Sequence, residues 1–125
     1  MARIWQSANV SVIPIQANTT KRPAVSWSPY QVTVPTLDEV QEWWGNGQPY
    51  GLALICGPVS GNLEMTELEG RATTGDVLID VENRLHELGA RHVWDLLTGP
   101  AGYLESSPSG GLHLLYRISD HDVPG

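Results

Sequence analysis

Phenylalanine is absent from this 125-residue chain, and cysteine occurs once, at Cys56. Without Phe, the large ring-shaped core fillers are expected to be Trp5, Trp27, Trp43, Trp44 and Trp94, each needing a partner for its indole N–H if buried. One cysteine excludes an internal disulfide framework and any cysteine-rich zinc site, so Cys56, set in an apolar stretch, is expected to pack as a small core residue. Basic residues are scarce as well: 7 Lys and Arg against 14 Asp and Glu leave a formal net charge of −7. Broad nucleic-acid platforms rest on Lys and Arg contacts to phosphate with release of counterions, which this surface cannot supply. Contact with nucleic acid must then be local, metal-assisted or completed by another part of a longer protein. Long apolar runs are missing too: none approaches the roughly 18 residues of a membrane span, and no secretory-type apolar stretch opens the chain, so the cytoplasm is the expected location and no membrane partner is expected.

What is there suffices for one folded domain with a modest core. Apolar residues make up 41%, and 13 Gly with 9 Pro spread along the chain point to many turns rather than a disordered tract. The length is short for a complete polymerase-type enzyme. Residues 2–8 suit a short helical turn, and the β-branched run from Val10 to Ile15 reads as a strand in which Pro14 occupies a position that needs no N–H. After a polar loop holding Lys21 and Arg22, Thr36-Leu-Asp-Glu39 is a capping box that starts a helix ending near Trp44 at Gly45, with Leu37, Val40 and Trp44 inward. Residues 50–57 form an apolar strand, with residues 63–69 as its expected antiparallel neighbour across Gly57 to Gly61. A helix over residues 74–88, a shorter one over 90–97, and strands over 103–106 and 112–118 complete an α+β order, expected as a mixed, mainly antiparallel sheet with helices on one face.

Two constellations carry chemistry. Glu67 and Glu69 are two apart in an extended segment, so both carboxylates point to one side while Leu68 packs on the other. Such a pair repels itself, and a divalent cation, Mg or Mn, would offset that repulsion; a solvated edge-strand face is the plain alternative. The second is Ser107 to Arg117, SPSGGLHLLYR, where His113, Leu115 and Arg117 share one strand face. Glycine N–H groups can turn toward an anion, and an imidazole with a guanidinium can bind phosphate oxygens, so turn and strand together suit a nucleoside triphosphate; a structural histidine after a common hairpin turn is the alternative. His86, His92 and His121 lack metal-ligand spacing and are expected to be exposed.

VIPI followed by KRPAVSW, then PTLDEVQEWW, then GLALICGPVSGNLEMTELEG, then SPSGGLHLLYR resembles, in order and spacing, the N-terminal domain of bifunctional DNA primase/polymerases, a branch of the archaeo-eukaryotic primase superfamily found in phages, plasmids and mobile elements. The resemblance spans nearly the whole chain, with SPSGGLHLLYR its most specific part. It implies a partial primase/polymerase fold with an RRM-like core. It places Glu67 and Glu69 in the acidic metal-binding motif and His113 in the small-x-His motif that contacts the incoming nucleotide, with Ser109, Gly110 and Gly111 forming its turn and Arg117 beside it. It implies a nucleotidyltransferase that uses Mg or Mn, nucleoside triphosphates and a DNA template, in a bacterial host if phage-encoded, alongside a C-terminal helicase-like region or a separate helicase. Three features depart from the pattern. Glu stands where most relatives have Asp, one residue near Asn62 is inserted, and the family's third metal-binding carboxylate comes from a strand beyond the small-x-His motif. Asp120 and Asp122 follow that motif too early for the role, so a truncated domain is implied. A non-catalytic nucleotide-binding or interaction module on the same fold, and a metal-dependent phosphodiesterase, are the other readings these residues allow.

Overall fold

The computed structural model describes residues 1–74 and 76–121. The architecture is α+β, and the chain divides into two compact units, Met1–Leu63 with the segment from Arg117 onward, and Glu64–Tyr116. Among the described residues no helix is long and apolar enough to cross a membrane.

In the first unit, helix α1 (Ala2–Ser7) packs on helix α2 (Leu37–Trp44) and on strand β1 (Ser11–Ile15), which pairs antiparallel with β2 (Gly51–Ile55) in the register Val12 to Leu54 and Ile15 to Gly51. β-Branched side chains favour the pleated surface, and Val12 and Ile13 of β1 are buried, one on each face, along with Val10 and Val40, while Ile15 at the strand end is half-buried. The core of this unit is therefore aliphatic. The indoles take its margins: Trp27 is 41% exposed and Trp5, Trp43 and Trp44 are half-buried. The expectation that tryptophans fill the interior holds for Trp94 of the second unit, which is buried. Cys56 is half-buried.

The strand over residues 63–69 does not form the expected hairpin with its predecessor. β3 (Leu63–Leu68) belongs to a separate sheet, and Gly57 and Leu63 share a single bridge instead of a ladder. The reason lies in the connection. Gly57 (φ 89°) and Gly61 (φ 67°) both adopt left-handed backbone around a 3₁₀ turn at Pro58–Ser60, and fully buried Ser60 accepts from the Ser11 N–H at 2.8 Å and donates to the Ile55 carbonyl. That seryl bridge ties the connection to β1 and β2.

The capping box is present as read. Thr36 Oγ1 accepts from the Glu39 N–H at 3.2 Å, and Glu39 Oε2 accepts from the Thr36 N–H at 2.8 Å. Of its expected inner face, Val40 is buried and Trp44 half-buried, whereas Leu37, in the first turn, is 41% exposed. Tyr30 donates to Glu39 Oε1 at 2.7 Å and meets Trp43 edge to face; burial, and then the bond to Glu39, push its hydroxyl up to about 12. We expect Thr36→Ala to cost about 1 kcal/mol in urea unfolding. The same contacts set an acid limb. Bonds from Thr36 and Tyr30 hold the Glu39 carboxyl below its ordinary 4.5, so its contribution is complete above that value and is lost as the pH falls through the lowered one. Glu39→Gln should flatten the stability profile below pH about 4.5 while leaving its neutral-pH shape unchanged.

The second unit carries the three-stranded sheet, ordered β3, β5 (Leu112–Arg117), β4 (Tyr103–Ser106). β4 and β5 pair antiparallel, and β3 runs antiparallel to β5, since Thr66 bonds Tyr116 while Glu67 bonds His113. Helices α3 (Val77–Glu87) and α4 (Arg91–Thr98) pack together, and α4 packs on β4. Among the apolar residues in and just after α3, Leu78, Val81 and Leu85 are half-buried, while Val77, Ile79 and Leu88 are exposed.

Candidate active site

β5 is the middle strand of its sheet, and a two-residue period puts His113 level with Glu105 of β4. His113 Nδ1 lies 2.9 Å from Glu105 Oε1, and Nε2 lies 3.0 Å from Glu67 Oε1 of β3. The three side chains thus form a row across the sheet, an imidazole flanked by a carboxylate on each side. Both ring nitrogens face acceptors, and the ring can donate to both only as the imidazolium. The bond to Glu105, and then that to Glu67, accordingly hold the His113 proton above its ordinary 6.5. The imidazole side chain is 19% exposed and the two carboxylates 43% and 45%, so an approaching ligand meets the acids first and the pairing adds little to stability. Tyr103 donates to the second oxygen of Glu105, Oε2, at 3.0 Å, and burial together with this bond raises its hydroxyl, which stays protonated as a donor.

Glu69 lies just past β3 in extended backbone (φ −124°, ψ 161°), which continues the alternation and keeps it on the side of Glu67. Both are exposed. The turn before β5 closes on itself. Ser107 N–H donates to the Gly111 carbonyl at 2.8 Å, Gly110 N–H to the Ser107 carbonyl at 2.9 Å and Gly111 N–H to Ser107 Oγ at 2.9 Å, while the hydroxyls of Ser107 and Ser109 share a bond of 2.9 Å. These N–H groups serve the turn, where the sequence reading turned them toward an anion. The glycines are explained without one. Gly110 has φ 86°, and a Cβ at buried Gly111 would sit 2.8 Å from Ser107 Oγ, 3.1 Å from the Leu68 carbonyl oxygen and 3.2 Å from Glu69 Cγ. The end of β3, with its second acid, therefore runs against the turn that launches His113. We expect Gly111→Ala to destabilise the protein by about 1–3 kcal/mol in urea unfolding, as overpacking does, and to move Glu69 relative to His113.

The structure brings together Glu67 and His113, sets Glu69 against Gly111, and places Ser109 and Gly110 in the turn. Arg117, at the far end of β5, donates through Nε to the Ser60 carbonyl at 3.2 Å and through Nη2 to the Ala8 carbonyl at 2.7 Å. Lys21 and Arg22 are exposed in their loop, and His86 and His92 are exposed on α3 and α4 as expected. Asp120 pairs with exposed His121 at 2.6 Å, and Asp122 lies outside the described residues. Glu105 is the residue that sequence reasoning missed. Its signal was available: a hairpin closed between Ser107 and Gly111 pairs Glu105 with His113 by counting back along the strand.

No curated protein and no solved structure matches the chain. The family model described as the N-terminal domain of bifunctional DNA primase/polymerase matches residues 2–125. With nearly every residue inside that match, the chain belongs to the family of N-terminal domains of bifunctional DNA primase/polymerases, and its function is of the primase/polymerase type.

Proposed function

We propose that Glu67, Glu69 and His113 form a nucleotidyl-transfer site that uses Mg or Mn to join nucleoside triphosphates on a DNA template. One observation carries this reading: a carboxylate and an imidazole 46 residues apart meet at 3.0 Å on one sheet surface, with the second carboxylate following on the same side. The donor set suits a hard cation. Mg commonly takes one or two carboxylates plus substrate phosphates, and Glu67 keeps free lone pairs after accepting from His113. Among the described residues no three His, Cys, Asp or Glu side chains are gathered as a metal site, so the phosphates themselves would supply the remaining oxygens. When bound, the cation would neutralise triphosphate charge and ease departure of pyrophosphate.

The chain's own residues do the rest. Glu67 and Glu69 would hold the cation, and the His113 Nε2, which faces Glu67 at 3.0 Å, would turn its N–H from that carboxylate to a phosphate oxygen while Nδ1 keeps its bond to Glu105. The Ser107–Gly111 turn with Ser109, Gly110 and Gly111 fixes where the imidazole stands. A template contact would be local, in keeping with the net charge of −7, and a helicase-like region or separate helicase would present opened DNA.

The test incubates the protein with primed and unprimed DNA template, NTPs or dNTPs, and Mg or Mn. Extended or newly made strands that disappear on chelation are expected. Metal-dependent nucleotide binding in calorimetry with no product would assign a non-catalytic nucleotide-binding module, and cleavage of the DNA a phosphodiesterase; either outcome, or the absence of both product and binding, overturns the proposal.

A further inference from the structure

We propose that Glu105 is the positioning residue of this site, with Tyr103 behind it. The inference rests on the nucleotidyl-transfer reading and deepens it. Glu105 stands directly opposite His113 in the antiparallel ladder, and its Oε1 lies 2.9 Å from Nδ1. Its other oxygen accepts from the Tyr103 hydroxyl at 3.0 Å. Tyr103, Glu105 and His113 form a chain of bonds running across and along the hairpin, and its geometry has a direction. A side chain on a neighbouring strand takes the ring nitrogen that faces away from the acidic pair, and this settles the ring orientation that turns Nε2 toward Glu67, where phosphate is to be met.

Two observations separate this role from a structural one. The Glu105 carboxylate is 45% exposed, and an ion pair so open to water contributes little to folding. A hydroxyl from its own strand nonetheless occupies its second oxygen, which restricts the carboxylate to one rotation. Groups that orient a metal-ligating histidine through its far nitrogen typically matter by about 10–100-fold, and an effect of that size is expected for His113.

The experiment compares Glu105→Ala, Glu105→Gln and His113→Ala in the full chain. ¹⁵N–¹H NMR of the imidazole, recorded without metal or nucleotide, is expected to show a hydrogen-bonded Nδ1 proton that Glu105→Ala removes and Glu105→Gln weakens, with thermal unfolding unchanged. In the synthesis assay, Glu105→Ala should lower kcat/KM for the nucleotide by about 10–100-fold with KM for the primed template unchanged, and Glu105→Gln should recover part of the loss. If His113→Ala abolishes synthesis while Glu105→Ala leaves both kcat/KM and the Nδ1 signal as they were, the positioning role is wrong and the site assignment stands. If His113→Ala itself changes nothing, the underlying reading fails first. A uniform loss of folding in both Glu105 variants would make the residue structural and end the proposal.

Discussion

His113→Ala is expected to lower template-directed incorporation by about 10²–10³-fold, the loss seen when one preorganised donor is taken from a developing or resident negative charge. The substitution removes more than a contact. With the imidazolium gone, Glu67 and Glu105 face each other across β5 with no positive group between them, and an incoming triphosphate meets an acidic strip. Nucleotide affinity should therefore fall together with turnover. The fold should not suffer: the carboxylates are largely solvated, so the melting temperature is expected to stay within a few degrees of the parent. A variant that loses activity by losing structure would show itself in that second measurement.

The second large effect is expected at the acidic pair, where Glu67→Gln separates two jobs. The amide keeps the size of the side chain and an oxygen able to accept from His113, but it gives up the charge that a hard cation requires. Incorporation should drop about 10²–10³-fold, with little change in stability. Raising Mn should recover part of the activity, because the remaining carboxylate, Glu69, lies in extended backbone on the same side. Activity that Glu67→Gln leaves intact would place Glu67 in service to His113 alone.

Much of this surface could be read in the chain before its structure. The two-residue period put Glu67 with Glu69 and His113 with its strand face, and the capping box at Thr36 and Glu39 came out as its sequence states it, because both are local rules that neighbouring residues carry themselves. Pairing between strands was less legible. The run after Gly61 looked like the return arm of a hairpin, yet Ser60, a single buried hydroxyl bonded to Ser11 and Ile55, fastens the turn to the first sheet and releases β3 to the second. Nothing in the local pattern announces such a bond. Burial of rings was misjudged for a related reason: the absence of Phe suggested tryptophan cores, whereas β-branched residues already close the first unit and leave Trp27 outside. Arg117 shares a strand face with His113 by period, and two carbonyls far along the chain, those of Ser60 and Ala8, claim its guanidinium. Glu105 follows from the register of its hairpin, which closes between Ser107 and Gly111.

The most direct measurement titrates Mn into the protein with a nucleoside triphosphate present and follows paramagnetic broadening of the His113 ring signals. The expected result is strong broadening at His113 that Glu67→Ala and Glu69→Ala each shift to higher Mn concentration and the double substitution abolishes, with His86 and His92 on the exposed helices spared. Sharp His113 signals in the presence of bound Mn and nucleotide, or broadening that persists when both acids are replaced, would contradict a shared cation and phosphate site on this sheet.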